Sequence, residues 1–128
     1  MKLIKGYLHF ISESIEVYRG DDDISKYDGR IWVTKDIDHA TQYGNVNTYT
    51  IDNDLNLLYV DYNWGTWTKL LSDFDGDLEE DFDAAEDMKY EPTDEFIYFL
   101  SNKGYDGFVH GSNGENILIF NRNNLKLK

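Results

Sequence analysis

Glu115 carries the side chain best placed for chemistry in this sequence. Two apolar runs, 107–110 and 116–120, flank a Gly-Ser-Asn-Gly segment, which predicts a β-hairpin closed by a short turn. The second run is unbroken, so its strand is expected to be buried on both faces. A carboxylate at the start of such a strand is poorly suited to a purely solvated role. The alternative is an exposed glutamate that merely ends a turn.

Arg19 is the second candidate, because it ends an apolar stretch and is followed by Gly20. The planar guanidinium group can hold a phosphate through two parallel hydrogen bonds. A glycine at the next position lets a ligand or another backbone segment approach closely. The alternative is a surface arginine that pairs with the three aspartates at 21–23.

Three further side chains have types that suit a ligand site. The hydroxyl of Thr34, at the end of a short β-rich run, could orient a ligand, although threonine is also common in strands. The rings of Trp32 and Tyr43 could stack on a heterocycle, although large aromatic rings are more often part of a core.

The sequence predicts no metal centre. His9, His39 and His110 lack the spacing of a zinc site. The stretch 73–83 has oxygen ligands at alternate positions, but Gly76 falls too early for an EF-hand loop and no bidentate glutamate follows. A weak, adventitious calcium site is the most that this spacing supports. Glycine-rich phosphate loops and a nucleophile elbow are absent from the sequence.

Length and composition indicate one soluble domain. A chain of 128 residues can bury a core without covalent staples. It has no cysteine, which excludes disulfides and thiolate metal sites and gives no sign of an oxidising compartment. The N-terminus lacks the pattern of a signal peptide, and no run of eighteen apolar residues occurs. We therefore expect a cytoplasmic protein that does not enter a membrane.

The net charge of −13 is concentrated in one segment. Residues 71–95 contain twelve acidic side chains and one lysine, whereas the rest of the chain contains thirteen acidic and eleven basic side chains. The protein is thus a nearly neutral domain with one acidic segment. Its field opposes direct binding to nucleic-acid phosphates.

Periodicity predicts an α+β domain in which strands outnumber helices. Asp36 or Asp38 is expected to cap a short helix that Gly44 ends, and Thr93 to cap a longer one. The apolar spacing after residue 63 predicts another helix, with Thr66 or Thr68 at its start. The expected strands lie within 2–19, 30–34, 46–51, 55–60, 107–110 and 116–120, and the expected helices within 36–44, 64–71 and 94–102.

The order of three motifs resembles the ADP-ribosyltransferase superfamily, particularly its small bacterial and phage members. The motifs are VYRG at 17–20, GRIWVTKDIDHATQYG at 29–44 and GYDGFVHGSNGENILIF at 104–120. The resemblance skips residues 62–92. It implies one domain over 1–128, with two small packed antiparallel β-sheets, two or three helices and an acidic helical insertion around 63–92.

The resemblance also implies an NAD-dependent site. Arg19 matches the first-strand arginine that contacts the NAD phosphate or ribose, with Gly20 beside it. Thr34 matches the Ser/Thr of the second element in the Arg-Ser-Glu class, whereas Trp32 takes the tyrosine position if the His-Tyr-Glu class applies. Tyr43 matches the ring that stacks on nicotinamide.

Glu115 matches the catalytic glutamate of that family, which holds the ribose 2′-hydroxyl and stabilises the oxocarbenium character formed as nicotinamide leaves. Asn113 stands where relatives that modify arginine carry Glu or Gln, and Ala40 stands where some relatives carry a hydroxyl. The departure at Asn113 leaves the class of acceptor residue open, and the departure at Ala40 implies the loss of a hydrogen bond. The implied activity is mono-ADP-ribosylation of a host target, with NAD as co-substrate and no metal, by a toxin domain or a phage-encoded anti-defence factor.

The acidic segment suggests a function of a different class. A non-catalytic inhibitor could use it to imitate nucleic acid and block a basic groove, as some anti-restriction and anti-CRISPR proteins do. The simplest alternative is a solvated acidic loop. An acidic insertion could also recruit a basic host protein to a transferase cleft, so the two functions can coexist.

Overall fold

The computed structural model describes residues 14–20, 29–76, 82–111 and 114–128. These residues form an α+β domain, which confirms the predicted class. The strands are β1 (Ser14–Arg19), β2 (Ile31–Thr34), β3 (Asn47–Asp52), β4 (Leu57–Tyr59), β5 (Gly107–His110), β6 (Asn116–Ile119) and β7 (Lys126–Leu127). The helices are α1 (Ile37–Ala40), α2 (Trp64–Phe74), α3 (Phe82–Tyr90) and α4 (Asp94–Asn102), with single 3-10 turns at Thr41–Tyr43 and Arg122–Asn124.

All seven strands belong to one mixed sheet, in the order β4-β5-β6-β2-β1-β3-β7. The expectation of two small antiparallel sheets is therefore wrong. The strands join because β2 pairs along one edge with β1 and along the other with β6. The β4–β5 pair is parallel, since the chain crosses through α2, α3 and α4 before it returns as β5.

Each face of the sheet carries a buried apolar cluster. On one face α2, α3 and α4 pack over Phe108 and Leu118, with Trp67 and Phe96 fully buried between them. On the other face Val17, Ile31, Val33, Tyr49, Ile51, Val109, Ile117, Ile119 and Leu125 form a second cluster. The burial of β6 on both faces, expected from its unbroken apolar run, is thus observed.

Two helix starts follow the expected capping chemistry. The carboxylate of Asp36 accepts hydrogen bonds from the N–H groups of Asp38 (3.0 Å) and His39 (3.3 Å) at the start of α1. The hydroxyl of Thr93 accepts one from the N–H of Phe96 (3.2 Å) at the start of α4. These bonds satisfy backbone donors that have no partner within the helix.

The helix after residue 63 begins earlier than predicted. Helix α2 begins at Trp64, at least two residues before the predicted start at Thr66 or Thr68. The N–H of Trp67 donates to the carbonyl oxygen of Asn63 at 3.0 Å, which closes the first turn of this helix. No helix among the described ranges is long and apolar enough to cross a lipid bilayer.

Several expectations fall outside the described residues. These are the first part of the strand expected over 2–19, the pairing of Arg19 with the aspartates at 21–23, and the assignments made to His9 and Asn113.

Candidate functional site

A row of four residues crosses the sheet on neighbouring strands. Tyr18 of β1 pairs with Thr34 of β2, Thr34 pairs with Asn116 of β6, and Asn116 pairs with His110 of β5. Residues paired in this way point to the same face of an antiparallel sheet. The row forms part of the lining of a cleft of about 600 Å³.

Other elements supply the rest of this cleft. Residues of α1 and the following turn line it on one side, and the last residue of α3 lines it on another. A cleft of this volume falls within the range of small-molecule sites. Its remaining lining residues are Arg19, Gly20, Trp32, Val33, His39, Ala40, Tyr43 and Tyr90.

All five residues assigned to NAD binding by the resemblance line this one cleft. They are Arg19, Gly20, Trp32, Thr34 and Tyr43. Separate elements bring them together: the end of β1, the strand β2 and the turn that follows α1. These five residues are up to 24 positions apart in sequence. Their role toward a ligand stays a prediction.

Gly20 is required by a close backbone approach. A Cβ atom added at this position would lie 1.9 Å from the carbonyl oxygen of Ala40 and 3.1 Å from the Cβ atom of Tyr43. Any larger residue would therefore push α1 and its following turn away from β1. The position of Tyr43 at the cleft depends on this glycine.

The polar groups of Arg19 and Thr34 are both engaged with the backbone. A terminal nitrogen of the Arg19 guanidinium donates to the carbonyl oxygen of Trp32 at 2.7 Å. The hydroxyl oxygen of Thr34 accepts from the N–H of Asp36 at 3.0 Å, which holds the turn that leads into α1. Both side chains therefore stabilise the local backbone, in addition to any contact that they make with a ligand.

Three rings form a connected aromatic wall of the cleft. The ring centroid of His110 lies 5.2 Å from that of Trp32 and 4.7 Å from that of Tyr90, and both pairs meet edge to face. His110 is buried. Burial lowers the pKa of His110, and the nearby Lys89 ammonium lowers it further, while carboxylates including Glu115 act in the opposite direction.

Glu115 lies beside the row rather than in the lining of the cleft. Its carbonyl oxygen accepts from the N–H of Lys35 at 2.8 Å, which extends the β2–β6 pairing by one step. Its carboxyl group lies over Gly111, where an added Cβ atom would be 2.7–2.8 Å from the carboxyl atoms. Gly111 has a positive φ of 114°, so this position is doubly restricted to glycine.

Arg19 and Glu115, the two proposed catalytic residues, lie on opposite sides of the row, each one residue away from it along its strand. Arg19 follows Tyr18 in β1, and Glu115 precedes Asn116 in β6. Because both strands are antiparallel to β2, they run in the same direction. Strand spacings of ~4.8 Å and a rise of ~3.3 Å per residue place their Cα atoms roughly 12 Å apart.

Lys89, which precedes the cleft residue Tyr90 in α3, is a buried lysine with two carboxylate partners. The Nζ atom of Lys89 lies 2.7 Å from a carboxylate oxygen of Asp61 and 3.1 Å from one of Glu86. The other oxygen of Asp61 accepts from the N–H of Gly111 at 2.7 Å. This network ties α3 and the segment after β4 to the turn that follows His110.

The pKa values of this network reflect two opposed effects. Burial alone would raise the pKa of Asp61, but hydrogen bonds from Lys89 and Gly111 outweigh it and the pKa is lowered. Burial alone would lower the pKa of Lys89, but hydrogen bonds to Asp61 and Glu86 outweigh it and the pKa is raised. Both groups are therefore charged at neutral pH.

Sequence reasoning did not assign Tyr90, Asn116, or His110 to the cleft. Tyr90 comes from the acidic segment, which the family resemblance skips. His110 lacks the spacing of a metal ligand, but the predicted hairpin places it near Asn116. Among the described residues, no cluster of three or more histidine or carboxylate side chains could hold a metal ion.

Neither a protein-family model nor a curated protein sequence matches the chain. Among solved structures, the crystal structure of an anti-CRISPR protein is similar to this chain, with a TM-score of 0.55. The similarity covers 91% of this chain and 96% of that chain, at 16% sequence identity. The two proteins therefore share a fold.

Proposed function

We propose that this protein is an inhibitor of a bacterial CRISPR defence complex. The observation that carries the proposal is the fold that it shares with an anti-CRISPR protein over nearly the whole length of both chains. The acidic segment gives a physical reason for such an activity. RNA-guided effectors hold nucleic acid in a positively charged channel, to which an acidic protein surface is complementary.

The described part of the acidic segment presents its charge to solvent. Seven carboxylate side chains between residues 73 and 95 are exposed, whereas Lys89, the one cation of the segment, is buried and paired. Long-range attraction to a basic channel is favoured by such an arrangement. The exposed residues are Asp73, Asp75, Asp83, Asp87, Glu91, Asp94 and Glu95.

The proposal is tested with bacteria that carry an active CRISPR system directed against a phage. Expression of the protein is expected to raise the plaque count far above that of an empty vector for at least one CRISPR type. The variant Asp87→Asn/Glu91→Gln should lose part of this protection. The variant Asp52→Asn/Asp54→Asn removes the same charge from another surface and should retain it. No protection against any CRISPR type in a broad panel would refute the proposal.

A second candidate function is NAD-dependent mono-ADP-ribosylation of a host protein at the cleft. The observation that favours it is the grouping of Arg19, Gly20, Trp32, Thr34 and Tyr43 in one cleft. In this proposal the nicotinamide ring lies between Trp32 and Tyr43, and Arg19 faces a phosphate. Since the Glu115 carboxyl group lies over Gly111 and outside the cleft lining, it must rotate into the cleft to reach the ribose.

The transferase candidate has its own test. Labelled NAD⁺ is incubated with the protein and a bacterial lysate, and labelled acceptor and free nicotinamide are measured. Glu115→Gln should abolish both signals, whereas Asp54→Asn, which neutralises an exposed carboxylate outside the acidic segment, should not. If neither signal exceeds that of Glu115→Gln, the candidate is removed.

The same variants separate the two mechanisms of inhibition. Loss of phage protection in Asp87→Asn/Glu91→Gln, with Glu115→Gln fully protective, indicates inhibition by binding. Loss in Glu115→Gln alone indicates a catalytic mechanism. Loss in both indicates that the acidic segment recruits a target to the cleft.

A further inference from the structure

Helix α3 exposes two large aromatic side chains of a kind that folded domains usually bury. Phe82, at its start, is 63% exposed, and Tyr90, at its end, is 55% exposed. The buried residues of this helix are Ala85, Met88 and Lys89. Exposed aromatic rings next to polar groups are typical of protein interfaces.

These rings form a continuous strip that reaches the cleft. The centroid of Phe82 lies 5.8 Å from that of Trp64. The ammonium group of Lys89 then lies 5.5 Å from the centroid of Trp64 and 5.4 Å from that of Tyr90. We call Trp64, Phe82 and Tyr90 the aromatic strip.

Carboxylates border the aromatic strip. Asp61 and Glu86 contact the strip's internal cation, Lys89. Glu86 also lies one helical turn from both Phe82 and Tyr90 on α3, and the exposed carboxylates of Asp83 and Glu91 directly follow these two residues in sequence. The Lys89 side chain illustrates which ligand this chemistry suits, since it is held by ring faces and carboxylates together.

We infer that the aromatic strip and its acidic border dock an arginine-rich segment of the target protein. A guanidinium group stacks on an aromatic ring and forks onto a carboxylate at the same time, which an ammonium group does less well. A nucleic acid is disfavoured as the occupant because its phosphates would meet the bordering carboxylates. The inference rests on the proposed inhibitory function, for which it names the contact surface and the partner's chemistry.

The first test uses a nona-arginine peptide and the intact protein labelled for NMR. Chemical-shift changes are expected to centre on the aromatic strip. Phe82→Ala and Tyr90→Ala should each weaken peptide binding about 2- to 5-fold, the range for an exposed cation–π contact. Tyr98→Ala, which removes a ring that is 70% exposed on α4, should leave the affinity unchanged. All three variants keep the net charge of the protein.

Two controls keep the result interpretable. Thermal unfolding of each variant verifies that it folds, and Phe82→Leu and Tyr90→Phe serve as milder replacements if an alanine variant does not. A nona-lysine peptide should bind more weakly than nona-arginine to the wild type, and the difference should shrink in the ring variants. Equal binding of the two peptides, ring variants with wild-type affinity, or shifts centred on α4 would each overturn the inference.

The same variants are then compared in the phage-protection assay. If the wild type protects and the ring variants protect equally well, the docking inference fails while the inhibitory function stands. If the peptide binds the strip as expected but the protein protects against no CRISPR type, the inhibitory function fails and the strip keeps its preference for arginine. Loss of protection in the ring variants, with Tyr98→Ala fully protective, supports both.

Discussion

The ammonium nitrogen of Lys89 lies 2.7 Å from a carboxylate oxygen of Asp61, 28 residues earlier in the chain. Through the second oxygen of Asp61 the pair also holds the N–H of Gly111, beside the cleft. The one cation of the acidic segment therefore anchors that segment to the sheet. The Lys89–Asp61 pair therefore supports both the cleft and the surface that is proposed to bind the target.

Removal of the Lys89 charge is expected to destabilise the fold. Lys89→Met leaves Asp61 and Glu86 near each other without a cation. Their side chains are 30% and 32% exposed, so water offsets part of the cost. We expect a loss of about 2 kcal/mol, below the range for a fully buried pair. Urea denaturation measures the loss.

Lys69→Met is the matched control, since it removes an exposed lysine from α2. Its effect should stay within about 0.5 kcal/mol. Equal midpoints and slopes for the two variants would show that the buried pair adds nothing to stability.

Gly20→Ala is expected to destabilise the protein by about 3 kcal/mol, because its Cβ atom would overlap the carbonyl oxygen of Ala40. Gly65→Ala provides the contrast. Apart from its chain neighbours and the backbone of its own helix, nothing lies within 4 Å of a Cβ atom at this position, so alanine should stabilise the fold by about 0.5–1 kcal/mol. Thermal unfolding compares the two variants with the wild type. A neutral effect of Gly20→Ala would mean that α1 does not pack against β1 as described.

His110 should make stability depend on pH below neutrality. Burial lowers its pKa in the folded protein, so the unfolded chain binds the proton more readily. Its contribution is fully present above the unfolded pKa of 6.5 and is lost as pH falls through the lower folded value. The free energy of unfolding should therefore fall between pH 7.5 and 5.5, and His110→Gln should reduce this fall.

The control for that prediction is His110→Phe, which also removes the titrating ring nitrogens but keeps an aromatic ring against Trp32 and Tyr90. It should reduce the fall in stability in the same way. A His110→Gln variant with an undiminished fall in stability would assign the pH dependence to other groups.

Local chemistry made part of this fold predictable. The hairpin of β5 and β6, the Asp36 and Thr93 caps and the buried face of α2 all depend on residues within a few positions of one another. Non-local pairing was not predictable in the same way. Nothing in the pattern of β2 reveals that β6 pairs along one of its edges, and that pairing makes one sheet instead of two.

The residues of the cleft also divide into those that the sequence predicted and those that it did not. Five of its residues were proposed from a family resemblance, and they meet because the ends of β1, β2 and α1 converge. Tyr90 was not predicted as a cleft residue, because its contact with His110 joins a helix and a strand that are 20 positions apart in the chain. The acidic residues around Tyr90 predict a solvated segment, whereas this segment contains two aromatic rings and a buried ion pair.

Inhibition of a purified CRISPR effector complex tests the central claim most directly. Binding of labelled target DNA to several such complexes is measured by fluorescence anisotropy as the protein concentration rises, with and without NAD⁺. The account predicts that at least one complex loses its DNA binding without NAD⁺, and that higher salt weakens the inhibition. Unchanged DNA binding by every complex at a large molar excess of the protein, in either condition, would contradict it.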